Sequence, residues 1–428
     1  MKRKTWFSLL IGVAFLALGA VSTVANEPAA NDPNAYTGTD SERIEQAVAA
    51  APKFGGLVRV PARRPDATDG RTHWLLDRAI LLPSNTTLLL ENSVLKLSDK
   101  CRDNFIRSAN AGPGIKKVEP LENIFVVGVG NARLEGADRP RATGDSGKRL
   151  GERTYGTDAG KDGESQTGDW RNIGVLFAKV KNFGIENLTV VNSHCWGISL
   201  EKCEFGRVAR ISFDSTERRE IDGKSVFTLN QDGVDLRKGC RNITIESIRG
   251  RTGDDLVALT AIGATARDGG TFDSTEVSES DPSADNDIRD VVIRDVIGHS
   301  AGGHQIVRFL NASGIKIYRI TLDSLTDTAP TPGYDRATIR VGDANPAWGG
   351  VTPVGDTFGF VIRNVHSSSK HAVLIAGSLT DSIIENVVNY NPAISGVTFE
   401  SGKENVRNVV IEEFVNVKRV EQTDAEER

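Results

Sequence analysis

One spacing recurs along this chain and limits what it can become: apolar, any, apolar, any, any, apolar. It reads as Ile124, Val126 and Val129, then Phe183, Ile185 and Leu188, then Gly206, Val208 and Ile211. It returns as Ile243, Ile245 and Ile248, as Val291, Ile293 and Val296, as Ile315, Ile317 and Ile320, and as Phe360, Ile362 and Val365. The last copies are Ser382, Ile384 and Val387, and Val409, Ile411 and Phe414; those at 206 and 382 lack the first apolar residue. Several intervals between copies are 22 to 27 residues. Alternation within each copy marks a strand rather than a helix. A unit this short cannot bury its own apolar face, whereas stacked copies bury it by setting like residues above one another. The spacing predicts an all-β chain folded as a single-domain right-handed parallel β-helix. Turn residues such as Lys181-Asn182, Arg241-Asn242 and Ala312-Ser313-Gly314 precede copies, and asparagine there can ladder from coil to coil. A propeller needs two-residue hairpin turns that are not evident here, and the leucine spacing of leucine-rich repeats is missing.

Ahead of the repeats, Thr39 or Asp40 can cap a helix with Ile44, Val48 and Ala51 on its apolar face. Gly55-Gly56 ends it, and Leu57 to Pro61 reads as the first strand. A helix there would cover the open end of the solenoid, whose unpaired strand edge invites association. Residues 137–172, 264–287 and 325–357 break the pattern with Gly, Ser, Asp and Pro and read as loops that shape one side. The expected organisation is a leader at 1–25, the β-helix at 36–418 and a charged, disordered tail at 419–428.

The leader is read from Lys2, Arg3 and Lys4, an apolar run from Trp6 to about Val21, and small residues Thr23 and Ala25 before a cleavage point. It implies a secreted or periplasmic protein that holds no membrane segment once the leader is removed. The chain has 428 residues with 52 basic against 57 acidic side chains, and this balance gives no reason to expect a nucleic-acid partner. Export permits disulfides, but Cys101, Cys195, Cys203 and Cys240 have no spacing diagnostic of a bridge or a metal site. No metal or cofactor is expected, and the oligomeric state is not legible.

The chemistry-bearing stretch is Asn230-Gln231-Asp232-Gly233-Val234-Asp235, followed by Gly253-Asp254-Asp255. Asp232 and Asp254 are 22 residues apart, about one solenoid turn. Stacked strands lie roughly 4.8 Å apart, so these carboxylates should crowd on one outer face and raise one another's proton affinity. One acid and one base at the same pH is what glycoside hydrolysis requires. Asp235, an odd number of residues from Asp232, would face the other way if both lie on one strand. A solvated acidic turn or a calcium site would also explain the cluster. Gly302-Gly303-His304 falls one coil later if 264–287 loops out, and His304 could support the acid. Arg308, Arg336 and Arg340 follow; a guanidinium grips a carboxylate bidentately, and otherwise these arginines neutralise the acidic face. Lys370-His371 lies one coil further on. Trp170, Trp196 and Trp348 could stack on sugar rings or serve as core.

With these residues in view, the chain resembles glycoside hydrolase family 28, the polygalacturonase-like enzymes of the pectin lyase-like superfamily, over roughly residues 36–415. Gly38-Thr39-Asp40-Ser41, Leu82 to Leu88, Ile173 to Phe177 and Asn192 to Trp196 are similar to that family's early segments. Its Asn-Thr-Asp motif looks matched by Asn230-Gln231-Asp232, and its Gly-Asp-Asp motif by Gly253-Asp254-Asp255. Its Gly-His-Gly motif appears as Gly303-His304-Gln305, and its Arg-Ile-Lys motif is loosely echoed by Thr338-Ile339-Arg340. The resemblance implies a catalytic set of Asp254 as general acid, Asp232 and Asp255 activating water with inversion, and His304 in support. It further implies a substrate-binding set of Asn230, Arg308, Arg340 and Lys370 on a polysaccharide or oligosaccharide. Gln305 in place of glycine and a single arginine for the basic pair leave the choice between a uronate polymer and another glycan open.

Two other readings share the fold. A polysaccharide lyase would cleave uronates by β-elimination with calcium held by the acids and a Lys or Arg base. A non-catalytic β-helix would only bind glycan. The order of the acids favours hydrolysis, and fold alone does not decide, because function resides in the site.

Overall fold

The computed structural model describes residues 27–65, 69–101, 103–112, 115, 117–139, 170–228, 230–262, 277, 283–312, 314–391 and 393–417. The proposed leader at 1–25 and the tail at 419–428 lie outside them. The described chain is a right-handed parallel β-helix with one α-helix at its N-terminal end. Thr39 caps the helix Asp40–Ala50 by accepting from Glu42 N, while the Glu42 carboxylate accepts from Thr39 N. Ile44, Ala47 and the following Ala51 are buried in the common core, so the helix closes the first coil. None of the described helices is long and apolar enough to cross a membrane.

Each complete coil contributes a long strand to one parallel sheet and a short strand to a second. The long strands, such as Val180–Val191, Arg241–Thr252 and Leu379–Asn389, carry the sequence triplet. Two backbone kinks explain its uneven spacing. Asn187, Arg210, Ser247, Asp295, Ser324, Asn364, Asn386 and Glu413 all take positive φ, between 50° and 62°. Each immediately precedes the last apolar residue of its triplet, so one extra residue is turned outward before the chain points inward again. Asparagine and aspartate tolerate this left-handed conformation better than branched residues. A second kink five residues earlier falls at Asn182, Asn242 and Asp290. Part of this line is tied by amides: Asn182 Nδ2 donates to Asn123 Oδ1, and Asn123 Nδ2 to Asn85 Oδ1, both at 2.7 Å.

The two kinks look alike in sequence, and this produced one misframed copy. Ile320 stands opposite Val291 and Phe360, so the triplet of that coil is Ile320, Leu322 and Leu325 rather than Ile315, Ile317 and Ile320. Arg319, at φ 53°, gives Ile317-Tyr318-Arg319-Ile320 the same two-residue gap. Val129 is likewise not in the core: it is exposed, and buried Ala132 follows it before the chain rejoins the ladder at Arg133.

The second sheet was not legible as a repeat. Its strands are three to seven residues long, among them Val175–Ala178, Ile198–Glu201, Val234–Arg237, Val257–Ala261, Gln305–Asn311, Ala337–Val341 and His371–Ile375. The stretch 325–357 is therefore not one loop, because it contains the wholly buried strand Ala337–Val341. Inward residues of both sheets, such as Ile245, Ile293, Leu236, Leu259 and Phe309, form one continuous core. One antiparallel hairpin, Arg218–Ile221 with Lys224–Phe227, stands beside the coils on an Asp222-Gly223 turn whose φ values are both positive. That is the two-residue turn not expected from the sequence.

Candidate active site

The acidic residues lie where the chain enters the short strands of the second sheet. Val234 stands opposite Val257, which stands opposite Val307, followed by Ile339 and Val373. This register is 23 residues from the first coil to the next, not 22. Asp255 therefore lies above Asp232, and Asp254 above Gln231. Continuing the register, Gln231, Asp254, His304, Arg336 and Lys370 occupy one line along the solenoid, and Asp232, Asp255, Gln305, Ala337 and His371 the next. Gly233 is required at this turn, because a Cβ there would lie 2.4 Å from the Leu256 carbonyl oxygen and 2.9 Å from the Phe213 ring.

Asp254 presents a partly open carboxylate, with His304 Nδ1 3.3 Å from its Oδ1. Asp255 is buried; its Oδ1 accepts from Gln305 N at 2.9 Å, and its Oδ2 lies 3.9 Å from Arg308 Nη1. Burial, then the Asp254 charge, pushes the Asp255 carboxyl up to about 7 against the pull of Arg308 and His304. Asp232 is also buried, and desolvation followed by the charges of Asp235, Asp254 and Asp255 raises its proton affinity well above the usual range. Asp235 belongs to the same cluster: it is raised mainly by burial, while Arg237 acts in the opposite sense. The parity argument for Asp235 fails because Asp232 precedes the strand, which begins at Val234, so strand alternation does not relate the two.

The arginines extend the site toward later coils. Arg308 and Arg340 are direct cross-strand partners; Asp343 Oδ2 accepts from Arg308 Nη2 at 2.9 Å and forms an ion pair with Arg340 Nη2 at 2.8 Å. Arg336 pairs with Glu400 at 2.9 Å, and the Arg308 guanidinium lies 5.6 Å from the Trp348 ring centroid. Burial, then Arg308, lowers Arg340 to about 10. The Nε atoms of Arg308 and Arg340 and the Oε1 atoms of Gln231 and Gln305 are buried without a hydrogen-bond partner among the described residues. Asn230 starts the turn with φ 53°. Lys370 is exposed on the line of Asp254 and His304, three coils and about 14 Å from Asp254. Sequence reasoning missed Asp343 and Glu400, which follow strands rather than lie in motifs, and buried Asp335. The Asp335 carboxyl is pushed up to about 8, first by burial and then by Asp327. No group of three or more described His, Cys, Asp or Glu residues forms a metal-binding arrangement.

No family model matches the chain. No curated protein matches it either. Solved structures do. A polygalacturonase from Erwinia carotovora ssp. carotovora aligns with a TM-score of 0.51 at 16% identity, over 90% of this chain and 94% of that one. A hyperthermoactive exopolygalacturonase from Thermotoga maritima aligns at 0.50 and 15% identity, over 89% and 91%. The fold is the one these polygalacturonases have. A weaker likeness, TM-score 0.47 at 13% identity, is to a tailspike protein of E. coli bacteriophage HK620 in complex with pentasaccharide, covering 60% of that chain. At these identities the alignments establish the β-helix, and the chemistry has to be argued from the side chains.

Proposed function

We propose that the protein is an exported glycoside hydrolase that cleaves a pectin-like or other acidic polysaccharide by aspartate general acid–base catalysis. The observation that carries this reading is the meeting of Asp232, Asp254 and Asp255 from consecutive coils, with His304 at 3.3 Å from Asp254 and Asp255 poised near 7. In this reading Asp254 delivers the proton, because it is the carboxyl with an open face and a histidine beside it. Asp232 and Asp255 lie behind it and activate water, which attacks the anomeric carbon on the face opposite the leaving oxygen. The bond from the anomeric carbon to that oxygen breaks, the oxygen takes the Asp254 proton, and the water proton returns to the carboxylate pair. In this reading the reaction inverts the anomeric centre. Arg308 and Arg340 orient the sugar on the later-coil side, with Asn230 and Lys370 at the margins.

The test is a screen of the purified protein against pectic and other acidic glycans, recording new reducing ends and near-ultraviolet absorbance together. Reducing ends without absorbance support hydrolysis. Absorbance from unsaturated products, abolished by a chelator, would assign a lyase instead. Silence across the panel would leave a glycan-binding module.

A further inference from the structure

The line of residues through Asp254 is buried on one side and open on the other. Continuing the register toward the N-terminus, Gln231 is preceded by Cys195 and Asn172. Asn172, Cys195 and Gln231 are 4%, 0% and 1% exposed. The Asp254 side chain is 18% exposed and His304 40%. Arg336 reaches 44%, and Lys370 is also exposed. Access begins at Asp254 and increases only toward the later coils.

Packing on the outside of the second sheet produces this closure. Leu176, Ala178, Ser199 and Glu201 point away from the solenoid core and are buried, as Ala258, Leu310 and Arg340 are on the later coils, so the two sides differ on the Asp254 line and in what covers it. Over this surface lies a separate apolar cluster that includes Trp170, Trp196, Ile173 and Val277. Trp196 occupies the line of Asp232 one coil before it, and the buried Arg237 guanidinium lies 4.6 Å from its ring centroid. Val277 is fastened by its backbone N–H to Glu201 Oε2 at 2.9 Å. Asn104 Nδ2 holds the Trp170 turn through the carbonyls of Trp170 and Ile173, at 2.9 and 2.6 Å. The obstruction is therefore hydrogen-bonded and close-packed at these residues.

We infer that this wall stops the substrate chain at the acidic cluster, so that the protein acts on chain ends and not within chains. Resting on the proposed hydrolysis, this assigns Trp196 and Trp170 as specificity-determining residues. A polysaccharide lying along the groove has room over His304, Arg336 and Lys370. Beyond Asp254 it meets Gln231, Cys195 and Asn172, buried beside the cluster that holds Trp170 and Trp196, so the open line ends at the acidic cluster. Each cleavage then releases a short terminal unit of fixed size.

The experiment uses the full protein and the glycan from the panel that yields reducing ends, with polygalacturonate first. Solution viscosity and product size are followed against bonds cleaved. One short product from the earliest time point, with viscosity falling only slowly as reducing ends accumulate, is the expected result. An early ladder of oligomers with a collapse in viscosity would overturn the chain-end inference and leave hydrolysis standing. No reducing ends from any glycan would overturn the hydrolase reading, and the inference with it. A Trp196→Ala variant adds a second readout: if it remains folded, it should release longer products than the parent, and an unchanged product size would remove Trp196 from the wall.

Discussion

Replacing Asp335 by asparagine isolates the electrostatic strain beneath the cleft. Asp335 is fully buried; its Oδ2 accepts from Ser300 N at 3.3 Å, and its neighbours include the carboxylates of Asp327 and Asp255. Its proton affinity rises from 3.8 to about 8. The folded-state value exceeds the unfolded one, so the fold favours the neutral acid. That contribution to stability is complete below pH 4 and is lost as pH rises toward 8. The slope inside this window is about 1.4 kcal/mol per pH unit. From pH 5 to 7 the limit is therefore about 2.7 kcal/mol, and relaxation with residual solvent reduces this to about 1–2 kcal/mol. Asparagine is neutral throughout and keeps an acceptor for Ser300. Asp335→Asn should thus gain about 1–2 kcal/mol relative to the parent between pH 5 and 7, read from urea midpoints at unchanged m-value. The other buried carboxylates are common to both proteins and largely cancel. Parallel pH dependences for the two proteins would refute the reasoning.

Four further outcomes follow from the geometry. Asp255 must be ionised to activate water, so kcat/KM should rise with pH through about 7 on its acid limb. Arg308 lies 3.9 Å from Asp255 and favours its charged form, so Arg308→Met should move that limb upward by about one pH unit. Removing Arg340 frees Asp343 from one of its two cations, and Arg340→Ala should raise KM more than it lowers kcat, measured on the preferred oligosaccharide. In the core, Ile293→Ala opens a cavity between Ile245 and Leu322, which flank it on neighbouring coils, and should cost about 2–5 kcal/mol in chemical denaturation.

The long strands were legible because three physical demands coincide at each copy: two inward residues, a left-handed kink, and a third inward residue. Asn187 and Asn386 mark that kink by residue type, whereas Arg210 and Glu413 adopt it without a sequence signal. The short strands were not legible. Val234–Arg237 is buried on both faces by the core inside and side chains outside, so no alternation distinguishes it from a loop. The same cause hid the strand at 337–341 among prolines and glycines. The grouping of Asp232, Asp254, Asp255 and His304 was legible because motifs placed them on successive coils, though the true register exchanges the stacking of Asp254 and Asp255. Asp235 was set aside by a parity rule that holds only within a strand. Asp343 and Glu400 answer the arginines from turns after their strands, and such partners are fixed by three-dimensional register alone. Trp170 and Trp196 could not be assigned from sequence, since the same residue type stacks on a sugar or fills a core.

The assignment of hydrolysis to the acidic cluster is tested most directly by comparing the parent with Asp254→Asn on the glycan that yields reducing ends, with folding checked by denaturation midpoint. Loss of the proton donor should lower kcat by about 10²–10⁴-fold while the midpoint stays within about 1 kcal/mol of the parent. A folded Asp254→Asn protein that retains the parent rate would contradict catalysis at this cluster.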